Sequence, residues 1–283
     1  MKKVTFVLLL SILSFSCSPK LKMIGSEQQA LSPLSNTETV VDINELKTID
    51  PSNIAAKIGA FKITDGGLAL DCTYERILFM AKEKARSLGG NAVKITDHKV
   101  PDNWSTCHRI EFDIYKLNDI EAYQNELIWS EQHPLQWSYF KAAPKVEPTS
   151  SFCGYIHAQF NDLAKDNQRK VIINPKLIFD CSYVQPLKKD ENLLEYNQIK
   201  FDLLEVYARE MRKAFDEAGI TSSKEWIKFA ESLYLEIYTK YETDIFNLEM
   251  ETNFGKNYSK LNGWKYKVKK DLENLPQYSS DQI

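Results

Sequence analysis

The sequence predicts an α+β protein made of two units. Three observations predict it. Short runs alternate like strands, as in Ile58-Gly59-Ala60-Phe61-Lys62-Ile63. Long stretches of the second half carry apolar residues at spacings of three and four, the signature of buried helix faces. Apart from Cys17, each unit holds one pair of cysteines, Cys72 and Cys107 in the first and Cys153 and Cys181 in the second.

The elements follow in chain order. Met1-Lys2-Lys3 is a basic start, and Val4 to Leu13 is an apolar run too short to cross a bilayer. Leu13-Ser14-Phe15-Ser16-Cys17 resembles a lipobox, with Ser14 and Phe15 departing from the usual pattern. The expectation is a signal peptide over 1–16 and a lipid on Cys17; an ordinary secretory signal is the alternative. Residues 17–50 are rich in Ser, Gln, Asn, Thr and Pro and are expected to be a flexible tether. Ser18-Pro19-Lys20 brings no acidic cluster after the cysteine, which favours a protein of the bacterial cell envelope, lipid-anchored to a membrane and facing the periplasm. Export would permit disulfides. Four cysteines allow three connectivities; Cys72–Cys107 with Cys153–Cys181 is the economical choice, and buried free thiols are the alternative.

The first unit spans 51–118. A helix is expected from Tyr74 to Leu88, with Ile77, Met80 and Ala81, Lys84 and Ala85, and Leu88 on one face and Gly89-Gly90 ending it. Strands are expected at Ile58–Ile63, Ala92–Ile95 and Ile110–Tyr115. Cys72 precedes the helix and Cys107 precedes the last strand, so a bond between them would clamp the two. His98 and His108 lie ten apart, a spacing with no recognised ligand pattern, and are expected to be surface histidines.

The second unit spans 126–278 and opens on Trp129, Trp137 and Phe140. Strands are expected at 153–160 and 171–179. A helix over Glu191–Ala218 closes at Gly219 and buries Phe201, Leu204, Ala208, Met211 and Phe215. Glu205 and Arg209 form an i, i+4 pair of the favourable polarity, worth a few tenths of a kcal/mol. A second helix, Ser223–Tyr241, is capped by Ser222 or Ser223, and its stripe of Trp226, Ile227, Ala230, Leu233, Tyr234, Ile237 and Tyr241 reads as core. Two such helices joined by a short turn should pack antiparallel. A last helix near Tyr258–Leu272 carries Lys260, Lys265, Lys267, Lys269 and Lys270 as a solvated basic face.

With 27% charged residues and a net charge of −3, the chain offers no polycationic surface, which argues against nucleic acid as a partner.

The segment Leu193-Leu194-Glu195-Tyr196-Asn197-Gln198-Ile199-Lys200-Phe201-Asp202 resembles the zinc helix, L-L-x-H-E-Q-x-H-F-D, of a family of predicted secreted zinc-dependent proteases. Leu135-Gln136-Trp137-Ser138-Tyr139-Phe140, Ile178-Phe179-Asp180, Glu251-Thr252-Asn253-Phe254-Gly255 and Trp264 extend the likeness over roughly residues 126–273. The resemblance implies a zincin-like second unit. It also implies lost chemistry. Tyr196 and Lys200 stand where the two histidines would be, Asn197 where the water-activating glutamate would be, and Phe254 where a later histidine would be. An ammonium has no lone pair for a metal, phenylalanine cannot ligate, tyrosine ligates only as phenolate, and asparagine cannot take a proton from bound water. The four histidines, His98, His108, His133 and His157, contain no i, i+4 pair that could substitute. No metal and no cofactor are therefore expected.

The first unit resembles the periplasmic domain of the Rcs envelope-stress lipoprotein. The carrying residues are Ile58-Gly59, Cys72, Ala81-Lys82-Glu83-Lys84-Ala85, Gly89-Gly90-Asn91-Ala92-Val93-Lys94-Ile95 and Cys107. That sensor has two disulfides, whereas this unit has cysteines for one.

The functional expectation is a lipid-anchored pseudo-peptidase that binds or scaffolds a peptide or envelope protein. Lys200 would pair with Glu249 or Glu251 as a surrogate for the metal's charge. The alternatives are an active hydrolase using some of Glu195, Asp202, Glu205, Glu249 and Glu251, and an envelope-stress or redox sensor.

Overall fold

The computed structural model describes residues 19–25, 31–66, 72–161 and 170–282. The signal peptide and Cys17 lie outside the described residues. The first unit contains β1 (Lys20–Ile24), β2 (Val41–Ile43), β3 (Ile54–Thr64), α1 (Tyr74–Ser87), β4 (Ala92–Lys99) and β5 (Arg109–Leu117). Its sheet has the order β1-β3-β5-β4-β2, with every pair antiparallel except β2 against β4. Ile77, Met80, Ala81 and Ala85 of α1 pack on Ile58, Phe61, Ile63 and Phe112 of the sheet.

The expected tether over 17–50 is corrected here. Residues 20–24 pair along the outer edge of β3, and residues 41–43 along that of β4. Val40, Val41 and Ile43 are buried. Between the two strands the chain crosses the end of α1. There Leu31 and Leu34 donate their N–H groups to the carbonyls of Leu88 and Arg86, which a helix terminus leaves unpaired. Gly89 sits at φ +77°, and a Cβ there would lie 2.5 Å from the Ser32 carbonyl oxygen, so this crossing requires glycine. Polar composition concealed two three-to-five-residue strands whose stability comes from edges formed elsewhere.

The second unit contains β6 (Glu126–Ile128), β7 (Ser150–Ser151), β8 (Gly154–Phe160), β9 (Val171–Ile178), β10 (Tyr183–Val184), α2 (Glu191–Ala218), α3 (Ser223–Thr252) and α4 (Tyr258–Glu273). An antiparallel sheet runs β6-β9-β8, and β7 and β10 form a small ribbon. Asp190 caps α2 by accepting from the Leu193 N–H, and Gly219 closes it in the left-handed conformation. Ser222 and Glu225 form a reciprocal capping box on α3. Helix α3 continues past the expected Tyr241 because nothing breaks it before Asn253-Phe254-Gly255, three consecutive residues at positive φ. Contacts between Phe215 and Trp226, Tyr207 and Tyr241, and Lys200 and Glu249 run in opposite directions along the two helices, so they are antiparallel. Disulfides join Cys72 to Cys107 and Cys153 to Cys181, the pairing within units that economy favoured.

The two units stack. Helix α1 lies on the first sheet by one face and meets the second sheet by the other. Across that second contact Arg76 donates to the Phe160 carbonyl at 2.5 Å, Phe79 packs on His157, and Lys82 reaches Glu126 at 3.4 Å. The opposite face of the second sheet, with Ile156, Ile173 and Leu177, carries the apolar stripe of α2. The layers are sheet, helix, sheet, helices.

Candidate functional site

The N-terminal half of α2 holds most of the residues singled out in the sequence. Gln198 accepts from the Leu135 N–H at 2.7 Å and donates to Asp202 at 2.8 Å. Asp202 also accepts from the Trp129 indole N–H at 2.8 Å. Burial pushes the Asp202 carboxyl up to about 6, although both of these hydrogen bonds favour its charged form. These contacts tie the segment 129–135 to the helix.

On the side facing α3, the Lys200 ammonium lies 2.8 Å from a Glu249 carboxylate oxygen and 4.5 Å from the centre of the Tyr196 ring. The Tyr196 hydroxyl donates to the same Glu249 oxygen at 3.3 Å. Burial lowers the Lys200 ammonium, with Glu249 opposing. Burial and the Glu249 charge both raise the Tyr196 phenol. The phenol therefore stays protonated, the opposite of what a phenolate ligand would need. Of the two carboxylates expected as partners, Glu249 takes Lys200, and Glu251 instead accepts from the Trp264 indole at 3.1 Å.

The other two singled-out residues are not part of this group. Asn197 is buried and donates to the Leu193 carbonyl at 2.7 Å and to Ser150 at 3.3 Å; its amide oxygen has no partner among the described residues. Phe254 sits in the left-handed turn after α3 with its side chain exposed. The adjoining Gly255 is pressed on Tyr196, where a Cβ would meet the tyrosine Cβ at 2.9 Å. The structure thus joins Tyr196, Lys200 and Glu249 into one hydrogen-bonded group and leaves Asn197 and Phe254 outside it. Among the described residues no three His, Cys, Asp or Glu side chains gather as a metal site.

Farther along α2 a groove of about 630 Å³ opens between β8 and the first half of α3. Ile156, Met211, Trp226, Tyr234 and Tyr238 line it, with Glu231 at its wall. Most of the α3 stripe packs as core, with Trp226 stacked on Phe215 and Ala230 beside it. Leu233, Ile237 and Tyr241 are buried, but Trp226 and Tyr234 face the groove and Ile227 is exposed. Periodicity identified the face and could not say that its edge at Ile227 and Tyr234 would stay exposed.

Two more groupings escaped the sequence. The Glu205–Arg209 pair is no surface pair. Glu205 is fully buried and is held by Arg209 at 2.8 Å, by Arg212 at 3.2 Å, and by the Ser280 N–H and hydroxyl at 2.9 and 2.6 Å. Ser279 and Ser280 belong to this core, so the second unit extends past residue 278. Between α1 and the second sheet, Glu126 accepts from Lys176 at 3.0 Å and from Lys82, which also meets Asp42 at 2.6 Å. Glu126 is held down to about 2 by these two lysines against its own burial. His157 is lowered to about 4 by burial and by the Lys176 charge.

His98 and His108 are not independent surface groups. Their ring nitrogens face each other at 2.9 Å, and Tyr74 stacks on His98 at 4.6 Å. The lysines of α4 are exposed as expected, and two of them pair with Glu195 and Asp244.

No protein family, no curated protein and no solved structure matches this chain.

Proposed function

We propose that this chain is a lipid-anchored periplasmic protein whose second unit is a peptidase-like scaffold that binds an extended peptide or protein segment without cutting it. The observation that carries the reading is the Lys200–Glu249–Tyr196 group. A cation, its counter-ion and a protonated phenol occupy the helix face where a hydrolytic zinc would need lone pairs. The residues that carry the resemblance, Gln198 and Asp202 among them, have structural contacts instead.

The groove beside β8 supports binding. Strand β8 pairs with β9 through its odd-numbered residues, as the bonds at Cys153 and Asn161 fix. The backbone groups of Ile156 and Ala158 therefore face away from β9, next to the aromatic wall of the groove. An extended peptide could pair there as an added strand, with alternate side chains against Trp226 and Tyr234. The ligand's place on this reading is the groove at Met211, two to three helical turns from Lys200 at about 3.6 residues per turn.

The test uses short labelled peptides with apolar side chains at alternate positions. Binding should appear as a change in polarisation, with no cleavage products by mass spectrometry. Ala158→Pro removes one outward donor from an edge strand, where proline is tolerated. It should weaken binding at least tenfold while leaving the melting temperature nearly unchanged. Cleavage by the purified protein, or unchanged binding by Ala158→Pro, would overturn the proposal. Lipidation is tested separately: Cys17→Ser should release the protein from membranes.

A further inference from the structure

The His98–His108 pair carries an inference independent of the peptide reading. His98 lies near the end of β4, and His108 directly precedes β5. His98 lies in β4 opposite Ile110 of β5, and the His108 N–H donates to the Cys72 carbonyl at 3.2 Å beside the Cys72–Cys107 bond. Tyr74, from the first turn of α1, stacks on His98 at 4.6 Å and leans on His108 at 5.8 Å. Three elements thus hold two imidazoles with His98 Nε2 and His108 Nδ1 facing each other at 2.9 Å. Two facing ring nitrogens need one proton between them. A divalent cation can take that proton's place, because each neutral imidazole offers one lone pair.

We propose that His98 and His108 form an open zinc site on the rim of the first unit, with His98 Nε2 and His108 Nδ1 as its protein ligands.

The geometry supports this. Two imidazoles on a tetrahedral zinc, each at about 2.0–2.1 Å, place their ring centres about 5.2 Å apart and their nitrogens about 3.3 Å apart. The ring centres here are also 5.2 Å apart, but with the nitrogens at 2.9 Å the two rings point straight at each other, so their lone pairs converge on zinc only after each ring turns. Binding asks each ring to pivot in place and asks the nitrogens to separate by a few tenths of an ångström. Among the described residues no third His, Cys, Asp or Glu joins the pair. Water would fill the remaining positions, and affinity should fall below that of four-ligand structural sites. Binding displaces the bridging proton to solvent, so zinc should bind more weakly as pH falls.

The experiment titrates the full chain with zinc against a chelating indicator and follows the imidazole nitrogens of ¹⁵N-labelled protein. The expected result is one zinc per chain, with resonance shifts at His98 Nε2 and His108 Nδ1. His98→Ala should weaken binding at least tenfold, and the double variant His98→Ala/His108→Ala should abolish it. His133→Ala and Lys200→Ala should leave it unchanged. Shifts at neither ring in the folded wild type, or undiminished binding by the double variant, would overturn the proposal. The nitrogen shifts keep the test decisive even where a variant folds poorly. Loss of zinc at this pair would leave the peptide-binding reading standing, and failure of peptide binding would leave the zinc site standing.

Discussion

Two ionisable side chains of the second unit are shifted in opposite senses, and stability should record both. Asp202 has its carboxyl raised to about 6 from 3.8, so the folded state holds its proton more tightly than the unfolded chain does. Its contribution is greatest below pH 4 and is lost as pH rises through 6. His157 is lowered to about 4 from 6.5, so the folded state holds its proton less tightly. Its contribution is present above pH 6.5 and is lost as pH falls through 4. Each shift is on the order of 3 kcal/mol. Between pH 4 and 6 the two slopes oppose each other, and their sum in the wild type should be nearly flat. Asp202→Asn keeps an oxygen for Trp129 and Gln198 and should leave stability rising with pH across that window. His157→Gln should leave it falling. Urea midpoints at pH 4, 5 and 6 for the three proteins measure this, and identical slopes in all three would refute the assignment. The sequence showed Asp202 as a motif residue and His157 as one of four histidines. Their shifts depend on burial by chain segments far away, which no local pattern encodes.

At the scale of elements, the buried faces of α1 and α2 and most helix termini were legible, and the far end of α3 was not. Asp190, Gly219 and Ser222 fix their helix ends by local hydrogen bonds, so the boundaries of α2 were readable residue by residue. The far end of α3 depends on three positive-φ residues of which only one is glycine, and the expected boundary stopped short. The segment after α4 shows the same limit. Residues Pro276–Gln282 look like a polar tail, yet Ser280 donates twice to the buried Glu205, and Arg212 donates to the Ser280 hydroxyl at 2.7 Å and to the Tyr278 carbonyl at 2.6 Å. Asp281 also accepts from Ser130 at 2.6 Å and from the Glu131 N–H at 2.9 Å. Hydrogen bonds to charged groups are worth about 1.5–3 kcal/mol each, and burial makes their loss costly. Deleting residues 279–283 should therefore lower the unfolding free energy by about 3 kcal/mol or more, read from denaturant midpoints. A shift of a few tenths of a kcal/mol, ordinary for a frayed terminus, would show that the segment is not docked in solution.

For the whole molecule, the decisive feature is α1 lying between two sheets. Glu126 stands at that junction with Lys82 from one unit and Lys176 from the other, and all three side chains are at most 16% exposed. Glu126→Gln would leave two ammonium groups with reduced compensation, a change that costs about 3–5 kcal/mol for buried pairs. The cost falls on the contact between units. Calorimetry should show one unfolding transition for the wild type and a lower, broadened or split transition for Glu126→Gln. A single transition at unchanged temperature would mean that the units are not coupled through this cluster.

The sequence by itself determined the α+β class, the main helices, the strands with buried alternating faces and the absence of a standard zinc-helix motif. These follow from periodicity, capping residues and residue chemistry, all local to the chain. Only the tertiary structure decided that the polar stretch 20–43 supplies two strands and that Glu205 is buried. It likewise brought His98 to His108 across ten residues and opened a groove along one side of Trp226. Each of these depends on which distant surface covers a residue, and burial, charge compensation and edge pairing arise only when separated segments meet.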